Sequence, residues 1–357
     1  LRQLGQILLF LFVLNTFVLP QLAGTGDAIS LIGDLDPVLL VIGAVAEIAS
    51  LACIAHLIRT LVPPDERPSL WTVNRIVLAA RAVSRVVPGG AAAGGVMTYR
   101  LLRRVGVATG PAGFTVGAQS IESAAVLVAI MFTAMVASIP LTGLNPAYVS
   151  VASLGAVLLA LVGFAVFMVT RDQGRSIRLA RRLARTVRVL DPDRLEGLLR
   201  TLGAQLSDLA AEPRELLRHV GWSAAYWLLD ALALGVFLAA YGHTPRPDAL
   251  LVAFCLANVA AILPITPGGL GVMEVTLSAA LVGFGVPSGI ALLGVVSWRL
   301  VNYWLPIPFG AAAYVSLQIG RPGRPVTEEL EELTDEARVE AGEVLPWRAR
   351  GITTSKE

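Results

Sequence analysis

The chain has 357 residues, 55% apolar and 15% charged, with a formal net charge of +2. A soluble globular domain carries roughly 25% charge and 45–50% apolar residues, so lipid is the main solvent expected here. Two cysteines, Cys53 and Cys255, both inside apolar runs, are too few for a disulfide framework or a thiolate metal site and read as small buried hydrophobes. Lys356 is the single lysine, which excludes a Walker A lysine, an internal Schiff base and a lysine general base. No cofactor, metal or nucleic acid is expected, and any energy source is something other than nucleotide hydrolysed by this chain.

A bilayer core of about 30 Å needs roughly 20 apolar residues per spanning helix. Leu4 to Leu19 is a short first span that reads as an anchor opening inside a longer helix, because no small-residue cleavage site follows it. The second span is Val38 to Ile58. Trp71 to Val87, Pro88-Gly89-Gly90 and Ala91 to Tyr99 then read as a hairpin broken at its tip. Spans follow at Phe114 to Ile139 and Tyr148 to Val169. From Arg171 to Arg218 the chain holds eleven arginines against seven acidic residues, which suits amphipathic helices lying near anionic headgroups. Trp222 to Tyr241 is the fifth span. A second broken hairpin has arms Leu250 to Leu263 and Val272 to Val286 around Pro264-Ile265-Thr266-Pro267-Gly268-Gly269-Leu270-Gly271. Ser288 to Leu317 is the last span, and residues 321–357 form a polar tail.

The expected architecture is therefore an all-α polytopic membrane protein with about six spanning helices and two re-entrant, Pro/Gly-broken hairpins. Arms of about a dozen residues reach roughly 18 Å at helical rise, to mid-membrane and not across. Arginines near span ends mark the cytoplasmic side. Arg59, Arg67, Arg75, Arg100, Arg103, Arg104 and the basic insert share one side, while residues 21–36 and 141–147 contain no arginine. Both termini then lie in the cytoplasm of a plasma-membrane protein, and the two hairpins enter from opposite faces. Residues 38–139 and 222–317 each read span, hairpin, span, the outline of an inverted repeat.

Inverted repeats with broken helices put substrate sites near the midplane, where helix N-termini favour anions. The tips Pro88, Gly89, Gly90, Pro267, Gly268, Gly269 and Gly271 become the focus, since glycine lets backbone approach a ligand and proline frees carbonyls. Tight packing of the hairpins against neighbouring helices is the competing explanation for those glycines. A charge inside the membrane costs about 2.5 kcal/mol or more unless paired or hydrated. Arg81, Arg85, Glu122, Asp230, Glu274, Arg299 and Glu47 are the candidates, with Glu47 better explained as a structural pair. Arg81 and Arg85 have snorkelling to the interface as an alternative. Glu122 follows Pro88 by 34 residues and Arg299 follows Pro267 by 32, so a cross-repeat ion pair is open to these two. Trp298-Arg299 and Asn302-Tyr303-Trp304 have the chemistry to line a cavity with a stacked guanidinium. His56, His219 and His243 stand apart near span ends, without metal-ligand spacing.

The run Leu263-Pro264-Ile265-Thr266-Pro267-Gly268-Gly269-Leu270-Gly271-Val272-Met273-Glu274 resembles the signature of the lysylphosphatidylglycerol synthase transmembrane region family. Val87-Pro88-Gly89-Gly90 with downstream Tyr99-Arg100 is similar to that family's first-half motif. The family includes stand-alone flippase-like proteins and the flippase domain of the bacterial multiple peptide resistance factor. The resemblance covers roughly residues 1–320, and it implies movement of an anionic or aminoacylated phospholipid, or a lipid-linked envelope precursor, between leaflets. Many relatives carry Gly-Glu and Glu-Arg where this chain has Gly94-Gly95 and Glu122-Ser123, which leaves the headgroup open. With only a short polar tail after the last span, the chain is expected not to synthesise aminoacyl lipid and not to be an enzyme.

The favoured expectation is a lipid translocator. Arg81, Arg85 and Arg299 would hold phosphate, Glu122 and Glu274 an amine or a proton, and the glycine tips would allow close approach, while Asp230, a substrate-site candidate, and Glu274 are open as proton sites or counter-ions. The expected partners are a membrane phospholipid or polyprenyl-linked lipid, anionic headgroups at the basic insert, and a second copy or an envelope-assembly protein. The alternatives are an accessory subunit of cell-envelope assembly and a membrane enzyme acting on a lipid phosphate.

Overall fold

In a computed structural model, residues 36–87, 90–142, 213–261 and 267–319 are described. The proposed spans at 4–19 and 148–169, most of the basic insert, the polar tail, and Pro88 and Gly89 lie outside the described residues. The described chain is helical throughout: α1 Pro37–Leu61, α2 Leu70–Val86, α3 Ala91–Arg104, α4 Thr109–Thr142, α5 Pro213–Ala240, α6 Pro247–Ala260, α7 Val272–Gly283, α8 Ser288–Arg299 and α9 Pro306–Gln318. A short 3₁₀ turn at Pro267–Gly269 precedes α7, and a π turn at Leu300–Trp304 joins α8 to α9.

Local chemistry sets these boundaries. Asp36 caps α1, its Oδ1 accepting from the N–H of Val38 at 2.9 Å, with Pro37 in the first turn, where its missing N–H costs nothing. Ser69 caps α2 by accepting from Thr72 N–H at 3.2 Å. Pro247 opens α6 in the same way as Pro37 opens α1. The last span carries Pro306 and Pro308, which cannot donate to the carbonyls of residues 302 and 304. Leu305 N–H reaches back instead to Leu300 O at 2.9 Å, the five-residue bond of a π turn.

Four helical stretches are long and apolar enough to cross a bilayer: Pro37–Leu61, Thr109–Ser138, Arg214–Ala240 and Ser288–Gln318. They match the second, third, fifth and sixth spans read from the sequence. Between them sit the two broken helix pairs, α2–α3 and α6–α7, each packed along its own partner. The first pair runs on to Arg104, five residues past the expected end at Tyr99. The element order is therefore span, pair, span twice over. The sequence reading missed the break inside the last span, because its hydropathy stays high through the two prolines.

Solvent preference is turned inside out relative to a soluble protein. Val38, Val41, Ile42, Val45 and Ile48 form an exposed stripe on α1, and Leu217, Leu228 and Leu232 do so on α5, whereas Glu47, Asp230, Arg299 and Asn302 are buried. An apolar exterior over a charged interior is the arrangement that lipid selects. The chain is a multi-pass membrane protein.

Lipid gives little hydrophobic drive for one helix to leave it for another, so close backbone approach at small residues holds the bundle together. α1 packs along α5, and α9 along α2. At Gly310 on α9 an added Cβ would fall on the Leu78 carbonyl oxygen and lie 2.6 Å from Ala82 Cβ, both on α2. Buried apolar residues form two clusters. One joins α4 to α8 with Ala46 of α1, and the other joins α1, α2, α3, the first turns of α4 and Tyr314 of α9.

Gly310→Val should therefore prise α9 from α2 and lower stability by about 1–3 kcal/mol, as overpacking does. Gly113→Ala, where an added Cβ meets nothing within 4 Å, should leave thermal unfolding in detergent at or slightly above the parent value. Equal melting for the two variants would contradict the α2–α9 contact.

Candidate functional site

The two tips meet. A Cβ placed on Gly90, at the start of α3, would stand 3.6 Å from the backbone nitrogen of Gly268 in the second tip. Gly90 has φ +43°, while Gly268, Gly269 and Gly271 have φ of +59°, +70° and +83°, a left-handed run that side chains disfavour. A side chain on Gly268 would also run into Tyr303, 2.6 Å away, and Arg85 Cδ, 3.2 Å away. Space at the junction is thus as restrictive as backbone conformation. Both explanations for the tip glycines, close packing and special φ, hold at Gly268.

Around this junction the structure gathers most of the charges singled out from sequence. Arg299 donates from Nε to Glu274 Oε1 at 2.5 Å and from Nη2 to the Gly268 carbonyl at 3.4 Å. Glu274 also accepts from Gly271 N–H through Oε2 at 2.7 Å, the carboxylate half of a capping box at the start of α7. One arginine and one carboxylate thereby fix the second tip. Arg299 and Arg85 both lie against the face of Tyr303, with guanidinium carbons 4.5 and 4.9 Å from the ring centroid. Tyr303 in turn donates its hydroxyl to Arg85 O at 2.8 Å, clasping the end of α2.

Deeper in the bundle, Asn302 is the connecting group. Its Nδ2 donates to Glu47 Oε1 at 2.8 Å and to Asp230 Oδ1 at 3.2 Å, and its Oδ1 accepts from Arg85 Nη2 at 3.2 Å. Asp230 Oδ1 also accepts from Trp298 Nε1 at 2.9 Å. Arg81 Nη2 donates to the Tyr226 hydroxyl at 2.8 Å, and its Nη1 stands 3.8 Å from Glu47 Oε1. Arg81 and Arg85 therefore turn inward rather than snorkel.

Charge is unevenly matched across the three arginines. Arg299 has Glu274, and Arg81 has Glu47. Among the described residues no carboxylate lies within 4.0 Å of Arg85, and its buried Nε has no hydrogen-bond partner. The α3 N-terminus beside it has Gly90 at its cap and, among the described residues, no side-chain cap. A guanidinium without a counter-ion next to an uncapped helix start has the chemistry of an anion site.

Two expectations need amendment. The ion pair of Arg299 is with Glu274, in its own half of the chain, and not with Glu122. Glu122 on α4 stands outside the arginine network, and neither of its buried carboxyl oxygens has a hydrogen-bond partner among the described residues. Beside it Trp227 Nε1 donates to Ser123 O at 2.9 Å, tying α5 to α4. Glu47, read as a structural pair, does pair with Arg81 and also accepts from Asn302. Trp298, Asn302 and Tyr303 were read as able to line a cavity beside a stacked guanidinium, and Arg85 and Arg299 do stack on Tyr303, whereas Tyr226 was read only as an interfacial aromatic. Pro306-Ile307-Pro308 was the available signal for Asn302 and Tyr303, since it marks where the last span must break. Of the histidines, His56 Nδ1 donates to Ala52 O at 2.9 Å and its ring stacks on Trp222 with centroids 4.5 Å apart.

Gly268→Ala should cost about 1–3 kcal/mol from the left-handed backbone alone, besides displacing Tyr303. Gly283→Ala, which meets nothing within 4 Å, should melt like the parent. Thermal unfolding of both variants measures the difference, and parent-like melting of Gly268→Ala would argue against a close junction.

Comparison with known proteins bears on what this site belongs to. A stretch of 169 residues is 26% identical to an UPF0104 membrane protein of Methanothermobacter thermautotrophicus, covering 45% of this chain and 51% of that protein. An UPF0104 membrane protein of Pyrococcus horikoshii is 30% identical over 120 residues, 33% of this chain and 35% of its own length. An uncharacterized protein of Synechocystis is 33% identical over 94 residues, 26% of this chain and 28% of its own. The chain thus spans about half the length, or less, of the curated relatives it matches. The pattern of the lysylphosphatidylglycerol synthase transmembrane region matches residues 4–310, which takes in both tips, all three arginines and Asn302. By that match the chain belongs to the lysylphosphatidylglycerol synthase transmembrane region family.

Proposed function

We propose that this protein is a lipid translocator, moving an anionic or aminoacylated phospholipid, or a lipid-linked envelope precursor, between the leaflets of the plasma membrane. The observation that carries the reading is Arg85, a cation with no carboxylate in ion-pair range among the described residues, at the meeting point of two glycine tips. A phosphate docked there would meet the guanidinium, and the N–H groups opening α3 lie beside it. Acyl chains would stay in lipid along the apolar outer stripes of α1 and α5. In this reading α2–α3 and α6–α7 are re-entrant pairs that enter from opposite faces and form the two halves of an inverted repeat, with both chain ends in the cytoplasm. Family membership and the apolar exterior support a lipid-related role, and the unpaired arginine supports an anionic headgroup.

Arg299 is a poor choice for testing this, because its removal strands the Glu274 carboxylate. Arg85→Ala is sharper. A charge-assisted hydrogen bond is worth about 1.5–3 kcal/mol, so headgroup-selective exchange should fall roughly 10- to 100-fold in protein that still folds, with some loss of melting temperature from the unanswered Asn302 carbonyl. Arg85→Lys should recover part of it, since charge is kept and the planar fork is lost. The measurement is leaflet exchange of fluorescent phosphatidylglycerol, lysylphosphatidylglycerol and polyprenyl-phosphate lipids in liposomes containing the purified chain. Exchange unaffected by Arg85→Ala, or equal for every headgroup, would overturn the proposal.

A further inference from the structure

Glu47 and Asp230 present two carboxyl groups to the two hydrogens of one amide, at 2.8 and 3.2 Å, in the buried interior of the bundle. Their residues are 1% and 3% exposed. The second oxygen of Glu47, Oε2, is buried and has no hydrogen-bond donor among the described residues. Sharing one amide nitrogen sets the two carboxyl groups side by side. Two carboxylates cannot hydrogen-bond to one another unless one of them carries a proton, and like charges at such range resist joint ionisation. A proton on either carboxyl would relieve that repulsion and supply such a donor.

The groups facing this pair make it responsive. From α2 come Arg81, at 3.8 Å, and Arg85, which shares Asn302 with both acids. Tyr226 comes from α5, where its hydroxyl holds Arg81. Trp298 and Asn302 come from the last span. Glu122, the acid on α4, makes no hydrogen bond to any of them. Arg81 and Arg85 are thus the positive charges that a carboxyl pair and a docked anion would have to share.

We propose that Glu47 and Asp230 form a proton-exchanging carboxyl pair, linked through Asn302 and Arg81 to anion occupancy at Arg85. With the anion site empty, both arginines offset the pair and it holds one negative charge or two. An arriving anion takes up part of that positive field, and a proton from the aqueous phase forms an O–H bond on one carboxyl as compensation. The proton leaves when the anion leaves. By linkage the coupling is reciprocal, so raising pH through the titration of the pair weakens anion binding by up to about tenfold per unit. This rests on the translocator reading only for the anion being a lipid headgroup.

Infrared difference spectra of the purified full chain over a pH titration read the proton directly, through the C=O stretch of a protonated carboxyl. Such a signal should titrate in the parent, vanish in Glu47→Gln, and move its midpoint by about one unit or more in Asp230→Asn. Glu122→Gln should keep it. In weak buffer, short-chain phosphatidylglycerol should cause uptake approaching one proton per chain, absent in Glu47→Gln and absent with short-chain phosphatidylcholine. No titrating signal, or one indifferent to both Glu47→Gln and Asp230→Asn, would overturn the proton pair. Anion binding without proton uptake would overturn the link. A titrating signal and proton uptake in a protein that exchanges no lipid between leaflets would support the pair and its link while sinking the translocator.

Discussion

The side-chain amide of Asn302 holds the interior together. An amide offers two donor hydrogens and one carbonyl, and here the hydrogens go to Glu47 on α1 and Asp230 on α5, while the carbonyl takes Arg85 of α2. In a bilayer no water is at hand to satisfy such groups, so each charge placed in the core needs a protein partner or a ligand. One neutral residue therefore lets three charged helices meet. It also bridges the two apolar clusters, since α2 belongs to one, α5 and α8 to the other, and α1 to both.

Asn302 reaches that position because the last span cannot remain a regular helix. Pro306 and Pro308 leave carbonyls without donors, and the five-residue turn that absorbs the mismatch carries both Asn302 and Tyr303, each nearly fully buried. The two inward side chains then do separate jobs. Asn302 collects the charges of α1, α2 and α5, and Tyr303 packs two guanidinium groups against its ring beside Gly268. A backbone irregularity is in this way converted into the meeting place of both tips.

Much of the fold was legible from sequence because lipid imposes length and hydropathy so strictly. α1, α4, α5 and the last span stand within a few residues of the apolar runs that announced them, apart from earlier starts on α4 and α5, and both broken pairs stand where Pro-Gly runs interrupt apolar stretches. The candidate site was legible in part, for the same reason: a charge amid apolar residues is conspicuous. Arg81, Arg85, Asp230, Glu274 and Arg299 were found that way, and they converge. What could not be read was pairing. Periodicity tells which residues share a helix face, yet whether Arg299 meets Glu122 or Glu274 depends on how helices from distant segments pack. Asn302 and Tyr303 carry no net charge, so the sequence marked them as able to line a cavity without showing that Asn302 would join Glu47, Asp230 and Arg85.

The two halves of the chain share an order of elements but not a distribution of charge. In the second half Glu274 caps α7 and is neutralised by Arg299, so that tip is electrically closed. In the first half the equivalent helix start has only Gly90 at its cap, and Arg85 stands beside it with no carboxylate in range among the described residues. A symmetrical pair of closed tips would make a rigid plug with no affinity for an anion. A symmetrical pair of open tips would place two unmatched cations a few ångströms apart in a medium that screens them poorly. One closed tip supporting one open tip escapes both problems, since the arginine and glutamate of the second half hold the junction in place while the first half keeps a cation free to be answered by something else.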